Sequence, residues 1–254
     1  MFIRTERSIK EFVHYYPIVS GLVIINLSLW VMIDFLQLPL GNQLFQWGAG
    51  HNISIHNGEY WRLLTSVFLH GGLMHALFNS FALVLFGPAL EQMIGKIKFI
   101  IAYVGAGLIG NLATYLIAPT AFYVHVGASG AVYGLLGMYI FMVVLRKHLI
   151  DPGSAQIVII ISVIGGIMTV LRPGINVYAH LFGFIGGFGL ASLLLNNAQP
   201  FSIWQNRRVQ NDDSIQFNPD RWKKKRIPKR IKSRILWGVL IILVILGLWS
   251  RLNP

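Results

Sequence analysis

The chain has 254 residues, of which 55% are hydrophobic and only 12% charged, roughly half the charge of an average soluble domain. That composition excludes a soluble enzyme and makes the class a membrane protein. The net charge of +12 does not point to nucleic acid, because eleven of the 21 Lys and Arg lie between Arg207 and Arg234, in one polar stretch between apolar segments; such blocks mark the cytoplasmic side of membrane proteins and favour anionic lipid.

Residues 1–16 are mixed in charge and contain no cleavable apolar region with a small-residue site, so they read as a cytoplasmic N-terminal segment rather than a signal peptide. No cysteine is present, which rules out a disulfide, a thiol nucleophile and a thiolate metal site. Apolar runs follow near Pro17–Leu36, Gly71–Ile94, Phe99–Ala118, Gly127–Leu145, Ala155–Leu171, Val177–Leu195 and Ile235–Trp249. A spanning helix needs about 20 residues. The expected fold is therefore an all-α membrane protein: a six-helix bundle over 17–199, a basic cytoplasmic linker over 200–234, and a seventh transmembrane helix with a short external tail over 235–254.

Orientation follows from loop charge. With the N-terminus in the cytoplasm, 18 of the Lys and Arg lie inside and only Arg62, Arg172 and Arg251 outside, which is the bias the positive-inside rule demands. Segment 37–70 is then external. It holds Trp47, Tyr60, Trp61 and Phe68 among polar residues, so it is expected to lie on or partly in the outer leaflet. The seven Trp and sixteen Phe are expected to face lipid or the interfaces.

Polar side chains at membrane depth are costly and mark function. Three spans carry them at their outer ends: His70, His75 and Asn79 around the start of the second, Ser129 and Tyr133 in the fourth, and His180 in the sixth. Ser129 and Tyr133 are four apart and share a face, as do His75 and Asn79. Gly183 and Gly187 extend the face of His180, and glycines permit the close helix approach that a serine–histidine pair across two helices requires. A serine hydroxyl becomes a nucleophile when a neutral histidine takes its proton. The Asn79 amide, the His75 ring N–H and the Ser129 backbone N–H are candidate donors to an oxyanion, and Tyr133 is placed to stack beneath His180. None of the nine acids lies in the body of the fourth or sixth span, which leaves a Ser–His dyad without a paired carboxylate.

These pieces resemble the rhomboid intramembrane serine proteases: "EYWRLLTSVFLHGGLMHALFN" with Trp61-Arg62, His70, His75 and Asn79, then "GASGAVYGLLG" with Ser129 and Tyr133, then "AHLFGFIGG" with His180, in spans of matching order from about residue 17 to 197. The seventh helix resembles the six-plus-one form of that family, and "WGAGHN" sits where the family has its lateral loop. The resemblance implies that Ser129 is the nucleophile and His180 the base, that His75 and Asn79 assist the oxyanion, that Gly127 shapes its pocket, and that Arg62 and Glu91 anchor the loop and the second helix. It implies single-pass transmembrane substrates cut in or near the outer-leaflet half, no cofactor, and a multi-pass location in a bacterial plasma membrane.

Blander readings exist for each residue. Ser129 among glycines is a common packing pattern, and His70 reads as a structural histidine holding the loop against the second helix. His51, His56, His125 and His148 read as solvent or interface residues. A metal site reads poorly, since His70 and His75 are five apart and no H-E-x-x-H is present. The alternatives from other classes are a transporter or channel lined by the buried His and Asn, and a non-catalytic binder of transmembrane helices.

Overall fold

The computed structural model describes residues 1–2, 6–122 and 124–202; the basic linker and the expected seventh helix lie outside them. A short α1 (Ile9–Tyr15), capped by the Ser8 hydroxyl on the Glu11 N–H, leads into α2 (Pro17–Trp30), which continues as one π-helical turn over Val31–Phe35. Segment 37–70 folds into α3 (Pro39–Gly48), a two-residue strand β1 (Gly50–His51), α4 (Asn52–His56) and α5 (Arg62–Thr65). Then come α6 (Leu73–Ile94), α7 (Lys96–Ile117), strand β2 (Val124–His125), α8 (Ser129–Leu145), a 3-10 turn over Lys147–Leu149, α9 (Pro152–Leu171) and α10 (Val177–Leu194).

Five of these helices are long and apolar enough to cross a bilayer, namely Pro17–Phe35 (with its π turn), Leu73–Ile94, Lys96–Ile117, Pro152–Leu171 and Val177–Leu194. The sixth, α8, has only 17 residues, about 25 Å at the α-helical rise, against a hydrocarbon core of about 30 Å. It starts at Ser129, two residues later than the apolar run, because Gly127 has φ +127 and Ala128 caps the helix. α6 likewise starts two residues late, at Leu73, while α7 and α9 begin three residues before their runs: in α9 Pro152 occupies the first turn, and the Asp151 carboxylate caps the Ser154 N–H at 2.9 Å.

The central helix is α8. Eleven of its residues are buried, and Leu135, Met138, Tyr139 and Met142 are wholly inaccessible. Its main neighbours are α10 and α7. The interface with α10 is glycine on backbone: a Cβ on Gly183 would strike the Gly130 carbonyl, one on Gly187 the Gly134 carbonyl, and one on Gly137 the Phe184 carbonyl. Absence of side chains is thus what lets these two helices touch. The expectation that all Phe face lipid fails for Phe86 and Phe99, which lie in the core with Tyr16, Leu83 and Tyr103; a bundle this tight needs large apolar volume inside.

Two polar ties fix the periphery. Glu91, 3% exposed, accepts the Ile18 and Val19 N–H groups at 3.0 and 2.9 Å, so it caps the start of α2 from within α6. Arg62, also buried, donates to the Gln46 and Ala49 carbonyls at 2.7 and 2.9 Å and pairs with Glu59. Segment 37–70 therefore has an internal frame, while Leu40, Trp47, Tyr60 and Trp61 remain exposed on it.

Candidate active site

The site grows from the turn that precedes α8. The Gly127 N–H donates to the Ser66 carbonyl at 2.9 Å, and Ser66 is held in turn by the Asn111 amide of α7, which donates to its hydroxyl at 3.0 Å and to the Leu63 carbonyl at 2.9 Å. One residue on, the Ala128 N–H donates to His70 Nε2 at 3.4 Å. His70 Nδ1 lies 3.2 Å from the Phe68 carbonyl. A carbonyl only accepts, so Nδ1 carries the proton and Nε2 the lone pair. Burial, with a smaller contribution from neighbouring His75, pulls the His70 pKa down to about 4, which keeps the ring in this neutral form. His70 thus ties the loop to the turn before Ser129, and its ring also packs edge-on against His75 of α6 with centroids 5.2 Å apart.

With Gly127 and Ala128 N–H both engaged, Ser129 is the first residue of α8, and its N–H is among those that have no partner inside a helix. Facing the same turn are His75 and Asn79 of α6. A Cβ added to Gly127 would lie 2.6 Å from His75 Cε1 and Nε2 and 3.8 Å from Asn79 Nδ2. Asn79 is buried, and one of its amide hydrogens goes to the His75 carbonyl at 3.0 Å, leaving the second for the space beside Gly127.

On the opposite side stands α10. Gly130 abuts Ala179, whose carbonyl would be 3.2 Å from an added Cβ, so the residues after Ser129 and before His180 are in contact. The Tyr133 ring stacks on the His180 ring with centroids 4.1 Å apart and an interplanar angle of 17°. His180 is buried, and its described hydrogen bond is between Nδ1 and the Thr169 hydroxyl oxygen, 2.8 Å apart, not with Ser129. Thr169 also meets the Tyr133 hydroxyl at 2.8 Å. An apolar cavity of about 400 Å³ adjoins this corner, lined by Tyr133, Ser162, Gly166, Thr169, His180 and Phe184 among others.

The structure therefore gathers Gly127, Ser129, Tyr133, His75, Asn79, His70, His180 and Gly183 around the N-terminal end of α8, from three different helices and two loops. Sequence reasoning did not find Thr169, Ser66 or Asn111. His125 was expected in solvent or at an interface and is buried instead: β1 and β2 pair antiparallel, Gly50 opposite His125, and a Cβ on Gly50 would strike that imidazole. This pairing joins segment 37–70 to the strand leading to Ser129. Burial, then the nearby His51, lowers the His125 pKa to about 4 as well.

What such a site can do is limited by its donors and bases: one primary hydroxyl, one imidazole held from behind, and N–H groups converging on the far side. The model of the Rhomboid domain matches residues 57–197. Among curated relatives, the Bacillus subtilis (strain 168) rhomboid-family protein YdcA is 42% identical over 202 residues, covering 78% of this chain and 98% of its own length. Rhomboid protease GluP of the same organism is 38% identical over 153 residues, covering 59% of this chain and 29% of itself. RHOMBOID-like protein 7 of Arabidopsis thaliana is 33% identical over 158 residues, 61% of this chain and 49% of that protein. The chain thus spans nearly all of the first of these relatives and under half of the other two.

Proposed function

The chain belongs to the rhomboid family, and on that premise we propose that it is a serine endopeptidase that hydrolyses peptide bonds within or beside the outer-leaflet part of transmembrane substrates, with Ser129 as nucleophile and His180 as base. Family membership makes it a multi-pass membrane protease acting on transmembrane proteins; the residue roles are our reading. The observation that carries them is the seam where Gly130 meets Ala179, with Tyr133 stacked on His180.

In this reading His180 takes the Ser129 proton as Oγ attacks the scissile carbonyl carbon. Negative charge moves to the carbonyl oxygen, where the Ser129 N–H, the free Asn79 hydrogen and the His75 ring offer donors. Collapse of the tetrahedral intermediate breaks the C–N bond, and the leaving amine takes its proton from His180. Water, deprotonated by the same imidazole, then releases the acyl group. The shortness of α8 supports attack below the membrane surface, since a helix about 25 Å long with Arg146 at its far end holds Ser129 inside the hydrocarbon boundary. The positive-inside bias supports the outer side as that boundary.

The test is cleavage of a single-pass reporter in proteoliposomes by wild type, Ser129→Ala and His180→Ala, all shown to be folded. Both variants are expected to lose turnover almost completely, because members of such a unit are not additive. Ser129→Ala turning over at the wild-type rate would end the assignment. Covalent labelling of wild type, but not Ser129→Ala, by a fluorophosphonate is the companion result.

A further inference from the structure

Resting on the reading of His180 as base, we propose that Thr169 is a positioning residue of the same reaction: its hydroxyl takes the place that a carboxylate fills in a three-membered catalytic set and fixes which nitrogen of His180 carries the proton. Thr169 belongs to α9, a helix that otherwise faces outward; only Ser154, Val158 and Thr169 of its residues are buried. Thr169 is itself buried and borders the apolar cavity next to His180.

The assignment rests on counting hydrogens. A threonine hydroxyl donates once and accepts twice. Thr169 Oγ1 has three partners, each at 2.8 Å: the Gly165 carbonyl, the Tyr133 hydroxyl and His180 Nδ1. The carbonyl can only accept, so it takes the single Thr169 hydrogen. The other two contacts are then both hydrogen bonds only if Tyr133 O–H and His180 Nδ1–H donate to Thr169. That places the lone pair of His180 on Nε2, the nitrogen turned away from α9 and available to a serine proton. When Nε2 is protonated in the reaction, the Nδ1–H bond to Thr169 persists, so the ring does not turn between steps. Tyr133 is held by the same hydroxyl, and Gly165 leaves room for it: a Cβ there would lie 2.8 Å from the Tyr133 oxygen. The stacked ring and the threonine thus restrain the imidazole about two different axes.

Outer hydrogen-bond partners of metal-ligating histidines are worth about 10–100-fold when removed, and the same orienting role sets the scale here. Thr169→Val keeps the shape and removes the hydroxyl; Thr169→Ser keeps the hydroxyl. In full-length protein, Thr169→Val is expected to lower kcat by about tenfold or more with KM within about threefold, while Thr169→Ser stays near wild type. The independent readout is ¹⁵N NMR of histidine-labelled protein at alkaline pH: His180 protonated at Nδ1 in wild type and Thr169→Ser, and shifted toward Nε2–H in Thr169→Val. Because that spectrum needs no turnover, it stands even if Ser129→Ala were to cleave normally and the protease reading fell. The proposal is overturned by wild-type kcat in Thr169→Val, by an unchanged Nδ1–H signal in that variant, or by equal losses in both variants that track melting temperature.

Discussion

Asn79 shows how much a single amide is asked to do. It spends one hydrogen on the His75 carbonyl within its own helix and keeps one facing Gly127. Loss of an oxyanion donor costs about 10²–10³ in kcat elsewhere. Here the Ser129 N–H and His75 remain, so Asn79→Ala is expected to lower kcat by about tenfold or more and to change KM by less than about threefold, measured per folded molecule. A variant with reduced melting temperature and unchanged kcat would assign Asn79 to helix structure alone. His70 makes a different kind of prediction. Its folded pKa, about 4, lies below the ordinary 6.5, so the unfolded chain binds its proton first as pH falls. The stability it contributes is complete above about pH 6.5 and is lost as pH drops through 4. Melting temperature should therefore decline across that window, and His70→Gln should flatten part of the decline while starting from a lower value at pH 8. A steepened acid decline in that variant would contradict the account. His70, His75, Asn79, Ser129, Tyr133 and His180 were all legible in the sequence because each is polar where polarity is expensive. Thr169 was not, since a threonine in a span ordinarily bonds back to the i−4 carbonyl, and it does that here too; its second role depends on two other helices.

At the level of elements, the order and approximate extent of the six described spans could be read from hydropathy alone, but their ends could not. The start of α8 is decided by the φ of Gly127, and that of α9 by Asp151 and Pro152, which are cap chemistry rather than apolarity. The small pairing of Gly50 with His125 has no signal in a two-residue strand. The seam between α8 and α10 yields a comparison within one helix. Gly187→Ala would set a methyl group against the Gly134 carbonyl, whereas Gly189→Ala meets nothing within 4 Å. Overpacking of this sort costs about 1–3 kcal/mol. Gly187→Ala is expected to lower the melting temperature and the activity together, and Gly189→Ala to leave both near wild type. Equal behaviour of the two would mean that the helices separate without consequence.

For the whole molecule, the question is where the working unit stops. The described part closes on itself beyond α10: Phe201 packs against the core, and the Gln92 side chain exchanges two hydrogen bonds with the Ser202 backbone, at 2.9 and 3.1 Å. A chain ended after Ser202 is accordingly expected to cleave a reporter at a measurable rate, and one ended after Asn197 to melt at a lower temperature because it loses both contacts. Complete inactivity of a folded chain ended after Ser202 would give the C-terminal basic stretch and its apolar run a part in the reaction.

The contact of glycine with carbonyl along α8 and α10 bears finally on how the protein can be re-engineered. Positions such as Gly134, Gly137, Gly183 and Gly187 supply no reacting atom, yet each admits a hydrogen and nothing larger. A saturation library would find them as unforgiving as the serine itself, while the outward residues of α9, among them Ile164, Met168 and Val170, would accept most apolar replacements. Attempts to retune selectivity have room on the exposed exterior of α9 and none in the seam, so the two helices that carry Ser129 and His180 must be transplanted into any chimera as a single inherited piece.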